Sequence, residues 1–244
     1  MPLDLADVFV AQPLCQGGAG FAPFGSEHLA WLAVCLAIVA GVVLVWKWLP
    51  KGEGLAAPRR RLVLALSLVP VALLASDDLL MVATGTFFAP WWPLHVCNLA
   101  ELVCVAHALA PCRLTRELLL TIGLSGSCAA LLFPGWSYCP ALSWPAVCGF
   151  LEHSLVLALS LLAVSDPLTS PRWADLALSC ATVGAYAALF RWLNPILGAD
   201  FGFVSGAAAN SPLEAWQGRW GDPGYLVPYA ATFLAVAVVL HAAV

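Results

Sequence analysis

The segment WWPLHVCNLAEL, Trp91 to Leu102, places an imidazole, a thiol, a carboxamide and a carboxylate within seven residues: His95, Cys97, Asn98 and Glu101. These are the parts of nucleophilic acyl chemistry. A thiol attacks a carbonyl, an imidazole takes the proton, and an amide N–H steadies the developing oxyanion. Further ionisable groups recur in other apolar stretches. Asp77 and Asp78 sit in ALLASDDLLMVA, Glu152 and His153 in FLEHSLVLALSLL, His107 in CVAHAL, and Glu27 and His28 in FGSEHLAWL. Asp, Lys or Arg at the centre of a lipid-spanning helix costs about 2.5–3.5 kcal/mol on insertion scales, so such residues tend to mark function.

The elements that must position them are membrane helices. The chain of 244 residues is 62% hydrophobic and 10% charged, with a mean hydropathy of +0.90. A soluble domain is nearer half apolar and a quarter charged. The surplus must face lipid, which excludes a soluble enzyme and a nucleic-acid-binding surface. The expected fold is all-α: a polytopic membrane helix bundle forming a single integral membrane domain over 1–244. Spans need about 20 mostly apolar residues. Seven runs qualify, near 28–49, 62–83, 92–110, 115–133, 144–164, 174–193 and 224–243. The breakers between them include KGEGLAAPRRR, FPGWSYCPALSWP and the long stretch from Asn194 to Pro223. The N-terminus lacks a basic segment and does not read as a signal peptide.

Charge orients the spans. With the N-terminus outside, the inner side holds Lys47, Lys51, Arg59, Arg60, Arg61, Arg113, Arg116 and Arg172, and the outer side only Arg191 and Arg219. The expected topology is N-terminus outside, C-terminus inside. Counting 1.5 Å per residue, Cys97 and Asp77 then lie about 10 Å below the outer surface and His153 about 14 Å. His28 lies at the outer rim, and the inner half offers few polar residues. The polar set therefore suggests a buried cavity in the outer half of the bilayer. Helical periodicity puts Cys97, Glu101 and Cys104 on one face of the third span, with His95 and Asn98 nearly opposite. His153 on the fifth span is then a better base for Cys97 than His95.

Plainer readings stand beside these. Cysteines in apolar runs (Cys35, Cys104, Cys128, Cys148, Cys180) behave as small hydrophobes, and Cys97 taken alone fits that use. Asp77 and Asp78 fit a structural polar knot as well as a pair that orients a histidine. Tryptophans 91, 92, 136, 144, 216 and 220 fit an aromatic belt. Among the nine cysteines there is no CxxC pair, so no metal site is expected. Cys15 and Cys139 fall in outer loops and are candidates for a disulfide. The only lysines, Lys47 and Lys51, close the first span, which rules out a retinal Schiff base within the bundle. A haem between His95 and His153 is the one cofactor reading left open, and no cofactor is expected. GLSGS, Gly123 to Ser127, resembles the serine motif of rhomboid proteases with His153 as partner. Yet no small glycines surround that histidine, and the serine's helix runs the other way.

The order of motifs is more specific. FGSEHLAWL opens the first span, WPLHVCNLAEL the third, ALLFPGW closes the fourth, and FLEHSLVLALSLL fills the fifth. GADFGFVSG and SPLEAWQGRWGDPGYL precede the last. This order resembles the YwaF-type bacterial integral membrane family, which is related to the transmembrane protein 164 acyltransferases, from about Phe24 to His241. The resemblance implies seven helices, a bacterial plasma-membrane location and acyl transfer between phospholipids through a third-span cysteine and a downstream histidine. Cys97 and His153 match those positions. His95, Asn98, Asp77, Asp78, Glu101, Glu152 and His28 are supporting or substrate-polar candidates. The implied partners are phospholipid or lysophospholipid. The family's Asn-Tyr before the last loop appears here as Asp200-Phe201, and its Pro-Trp-Tyr cluster as GDPGY. A small-solute or proton-coupled transporter using the same carboxylates and histidines remains the alternative.

Overall fold

The computed structural model describes residues 8–15, 20–50, 56–165 and 172–244. Their main elements are all helices: α1 Ser26–Trp48, α2 Ala56–Ala83, α3 Val96–Leu109, α4 Arg113–Leu132, α5 Trp144–Val164, α6 Trp173–Leu197, α7 Pro212–Gly224 and α8 Leu226–Ala242. Five of them (α1, α2, α4, α5 and α6) are long and apolar enough to cross a membrane, or six spans if the bent pair α7–α8 counts as one. The protein is an integral membrane helical bundle.

Two of the seven expected spans are shorter than expected. Trp92 precedes Pro93 and is extended, with ψ 147°, because the proline ring disfavours a helical residue before it. The third helix therefore starts at Val96, with His95 as its N-cap. Its 14 residues reach roughly 21 Å. The last helix keeps 17 residues, roughly 26 Å, because the chain turns by 114° between α7 and α8. The turn is made where Gly221 takes φ 66° and Asp222 leaves helical geometry.

Helix α5 is the axis of the bundle. In its best span-length window 72% of residues are buried, against 11–17% in α1, α2 and α6. It packs against α1, α2, α3 and α4, while α6 and α8 pack on α4. Close approach of α4 requires Gly123, where a Cβ would stand 2.4 Å from Ser160 Oγ of α5. Small residues serve the same purpose at many membrane helix contacts. Around Gly123 the backbone of α4 widens into a π-helical stretch, Leu119–Leu124.

The two ends of the bundle differ in chemistry. One end carries Lys47 and Arg59, Arg60, Arg61, Arg113, Arg116 and Arg172; Lys51 lies outside the described residues. Three of these arginines tie off helix C-termini, whose last carbonyls lack intrahelical partners. Arg59 donates to the carbonyls of Trp46 and Leu49 after α1, Arg60 to Ala108 of α3, and Arg116 to Val164 of α5. The other end gathers the loops 84–95, 133–143 and 198–211. Nearest this end lie the C-terminal half of α2 and the N-terminal halves of α3 and α5, which bear the acids.

Candidate active site

Glu152 and His153 sit side by side on α5, 7% and 6% exposed. The His153 Nδ1–H donates to the Gly149 carbonyl one turn back at 2.7 Å. That bond sets the tautomer. It leaves Nε2 as a lone-pair acceptor with no hydrogen bond among the described residues, which is the protonation state a general base needs. Trp136, from the loop between α4 and α5, lies over the ring with centroids 5.1 Å apart. Gly149 makes room for it, since a Cβ there would meet Trp136 Cδ2 at 2.7 Å. Trp136 is therefore no part of an aromatic belt. It is buried, and its own Nε1–H has no partner among the described residues.

Cys97 occupies the first turn of α3 and is half-buried. The first turn is held by Asn98, whose Oδ1 accepts the His95 backbone N–H at 3.1 Å. The thiol is within electrostatic reach of Glu101 on its own helix, of Glu152 on α5 and of Tyr186 on α6. Tyr186 anchors this corner by donating its hydroxyl to the Leu94 carbonyl at 2.7 Å. Cys97 and His153 thus come to the same end of the bundle, but no hydrogen bond joins Sγ to the imidazole. The α5 side chain in electrostatic range of the thiol is Glu152.

Carboxylates connect the two. Glu152 senses the charges of Glu101, Asp77 and Asp78. Asp77 Oδ1, Glu101 Oε2 and Glu152 Oε1 are each buried without a hydrogen-bond partner among the described residues. Leaving such atoms unpaired is costly. Asp77 and Glu101 are both in electrostatic range of Glu152, and three such atoms mark a place that takes protons or a polar group brought by a ligand. Among the described residues no group of three or more His, Cys, Asp or Glu is arranged to hold a metal ion.

The other candidates have structural partners. His28 accepts the Phe24 N–H at Nδ1 and donates from Nε2 to the Leu131 carbonyl, both at 2.8 Å, so it latches α1 to the end of α4. The His95 ring packs against Phe201 and Phe203, with centroids 5.3 and 5.4 Å away. It therefore faces the 198–211 loop. In the GLSGS segment, Ser125 donates to the Thr121 carbonyl, and His153 bonds to Gly149. No serine–histidine contact is made.

Several residues of this region escaped sequence reasoning. Trp136 and Gly149 had no signal beyond being an aromatic and a glycine. Asn194 is fully buried and organises the 198–211 loop. Its amide donates to the Phe201 carbonyl and Ser205 hydroxyl, and its Oδ1 accepts the Phe201 N–H. Asp200 accepts the Ser205 N–H at 2.9 Å. Burial raises its pKa, against the lowering effect of these backbone donors and of Arg191. The Asp200-Phe201 pair therefore shapes the loop that seats Phe201 against His95.

Against the family model described as the TMEM164 family, residues 23–243 of the chain match. No curated protein and no solved structure matches.

Proposed function

The chain belongs to the TMEM164 family, and from that premise we propose that it transfers acyl groups between membrane lipids through Cys97 and His153. The observation that carries this reading is the state of His153. It is a buried imidazole, fixed as the Nδ1–H tautomer by Gly149 and walled by Trp136, with Nε2 open. In the first half-reaction, the lipid ester carbonyl is attacked by Cys97 Sγ while Nε2 takes the thiol proton. The C–O bond breaks, the lysolipid leaves with that proton, and the acyl group stays as a thioester. In the second, Nε2 takes the proton of an acceptor hydroxyl, whose oxygen attacks the thioester and returns the thiol. Catalytic hydrogen bonds often tighten only with substrate bound, so the Sγ–Nε2 hydrogen bond forms as the lipid seats. The unpaired carboxyl oxygens and the Asn98 side-chain NH2 are the groups that orient it.

An apolar groove supports a lipid chain on this side. It runs along α2 past Ala65, Leu68, Val69, Ala72 and Leu73 and ends at Ser76 and Trp144, with a volume of about 440 Å³. Ser76 is adjacent to Asp77, and its hydroxyl accepts the Trp144 Nε1–H at 3.1 Å. The proposed topology counts α3 and α8 as short spans, with the N-terminus and the acid-rich end outside. An alkyne-tagged phospholipid tests the mechanism: parent protein should carry the tag, Cys97→Ala should lose it, and His153→Ala should acquire it more slowly. Equal tagging of Cys97→Ala would remove the nucleophile from the account.

One observation favours a proton-coupled transporter instead. The end opposite the acids is more polar than the sequence suggests. His241 bonds Glu117 at 2.9 Å, and Thr121 bonds Ser179 at 2.6 Å, all of them buried. Proton uptake into proteoliposomes lost in Glu152→Gln and kept in Cys97→Ala would select that reading.

A further inference from the structure

The N-terminal segment before α1 is seated on the loop that carries Trp136. Phe21 donates its N–H to the Ser137 carbonyl at 2.9 Å. A Cβ on Gly20 would stand 2.4 Å from the same oxygen, so the two backbones touch. Phe9 packs on Trp144, with ring centroids 6.1 Å apart. At this contact Cys15 and Cys139 are free thiols that influence each other electrostatically, and Cys15 Sγ donates to the Ala11 carbonyl at 3.7 Å. Cys15 and Cys139 are 3% and 0% exposed, respectively. Two cysteines far apart in the chain are thus buried where the N-terminal segment meets the loop that bears Trp136.

We propose that Cys15 and Cys139 form a disulfide that staples the N-terminal segment to the loop bearing Trp136. The bond forms by exchange with an organic disulfide. One thiolate attacks it and releases one thiol. The second thiolate then displaces the other, giving one new S–S bond and two reduced donor thiols in all. Burial raises both thiols above their ordinary range, so exchange precedes seating of the segment, and the closed pair resists reductant. The pair sits at the acid-rich end, which the proposed topology places outside, where disulfides persist. The staple's wider role is to fix Trp136, and through it the wall of the His153 site.

The test counts thiols. Full-length protein is taken from membranes with N-ethylmaleimide present, denatured, and labelled with a maleimide polymer before and after reduction. Reduction should expose two further thiols among the nine cysteines, and proteolysis without reductant should yield one peptide pair joined through Cys15 and Cys139. Neither Cys15→Ser nor Cys139→Ser should gain any label on reduction. No gain in the parent, or a gain of two that persists in Cys15→Ser, overturns the proposal. Either result leaves the acyl-transfer reading untouched, because Cys97 is scored separately.

Discussion

At the scale of single residues, the account turns on how His153 is held. Gly149 contributes twice: its carbonyl takes the Nδ1 proton, and its missing side chain admits the Trp136 indole. Gly149→Ala should therefore push Trp136 off the imidazole. Overpacking of this kind costs about 1–3 kcal/mol, read as a lower thermal midpoint in detergent with reduced acyl transfer. Gly126→Ala is the control, because nothing lies within 4 Å of a Cβ there, and its midpoint and activity should match the parent. The candidate residues themselves were legible in the sequence because ionisable groups stand out against lipid-facing helices. Trp136 was not. A tryptophan near a span end fits an aromatic belt equally well, and only the fold shows it turned inward onto α5.

At the scale of elements, composition located most of the helices, and proline and glycine decided what it missed. Pro93 delays α3, and Gly221 turns α7 away from α8, so two apolar runs are shorter than their hydropathy suggests. The arginine-rich segments were read only as a topology signal. The structure adds that Arg59, Arg60 and Arg116 finish the C-termini of α1, α3 and α5. The pairing of α8 with α4 through His241 and Glu117 had no sequence signature, since the two residues are far apart in the chain. His241→Ala leaves Glu117 buried without its partner. Leaving a buried polar group without its hydrogen bond costs about 1–3 kcal/mol, so the thermal midpoint should fall, and His241→Gln, which can still bond Glu117, should lose less.

At the scale of the whole molecule, the bundle has an acid-rich end and an arginine-rich end, and the proposed orientation puts the acids outside. Cys112 reports on this directly. It is exposed at the arginine-rich end, just before α4. Its thiol lies below the ordinary cysteine range because the Thr115 hydroxyl and backbone N–H groups stabilise the thiolate. A lowered pKa means more thiolate at a given pH, so Cys112 alkylation should rise at lower pH than that of a free cysteine. A membrane-impermeant maleimide should label Cys112 only after intact cells are opened. Labelling from outside would invert the topology and place the candidate site in the inner leaflet. The central claim, however, is covalent. Protein incubated with a defined phospholipid should be digested and the Cys97 peptide weighed. The account predicts that this peptide carries the mass of the lipid's acyl chain, is released by neutral hydroxylamine as a thioester is, and is depleted when lysolipid is added. An unmodified Cys97 peptide under turnover conditions, with acyl transfer still proceeding, would contradict it.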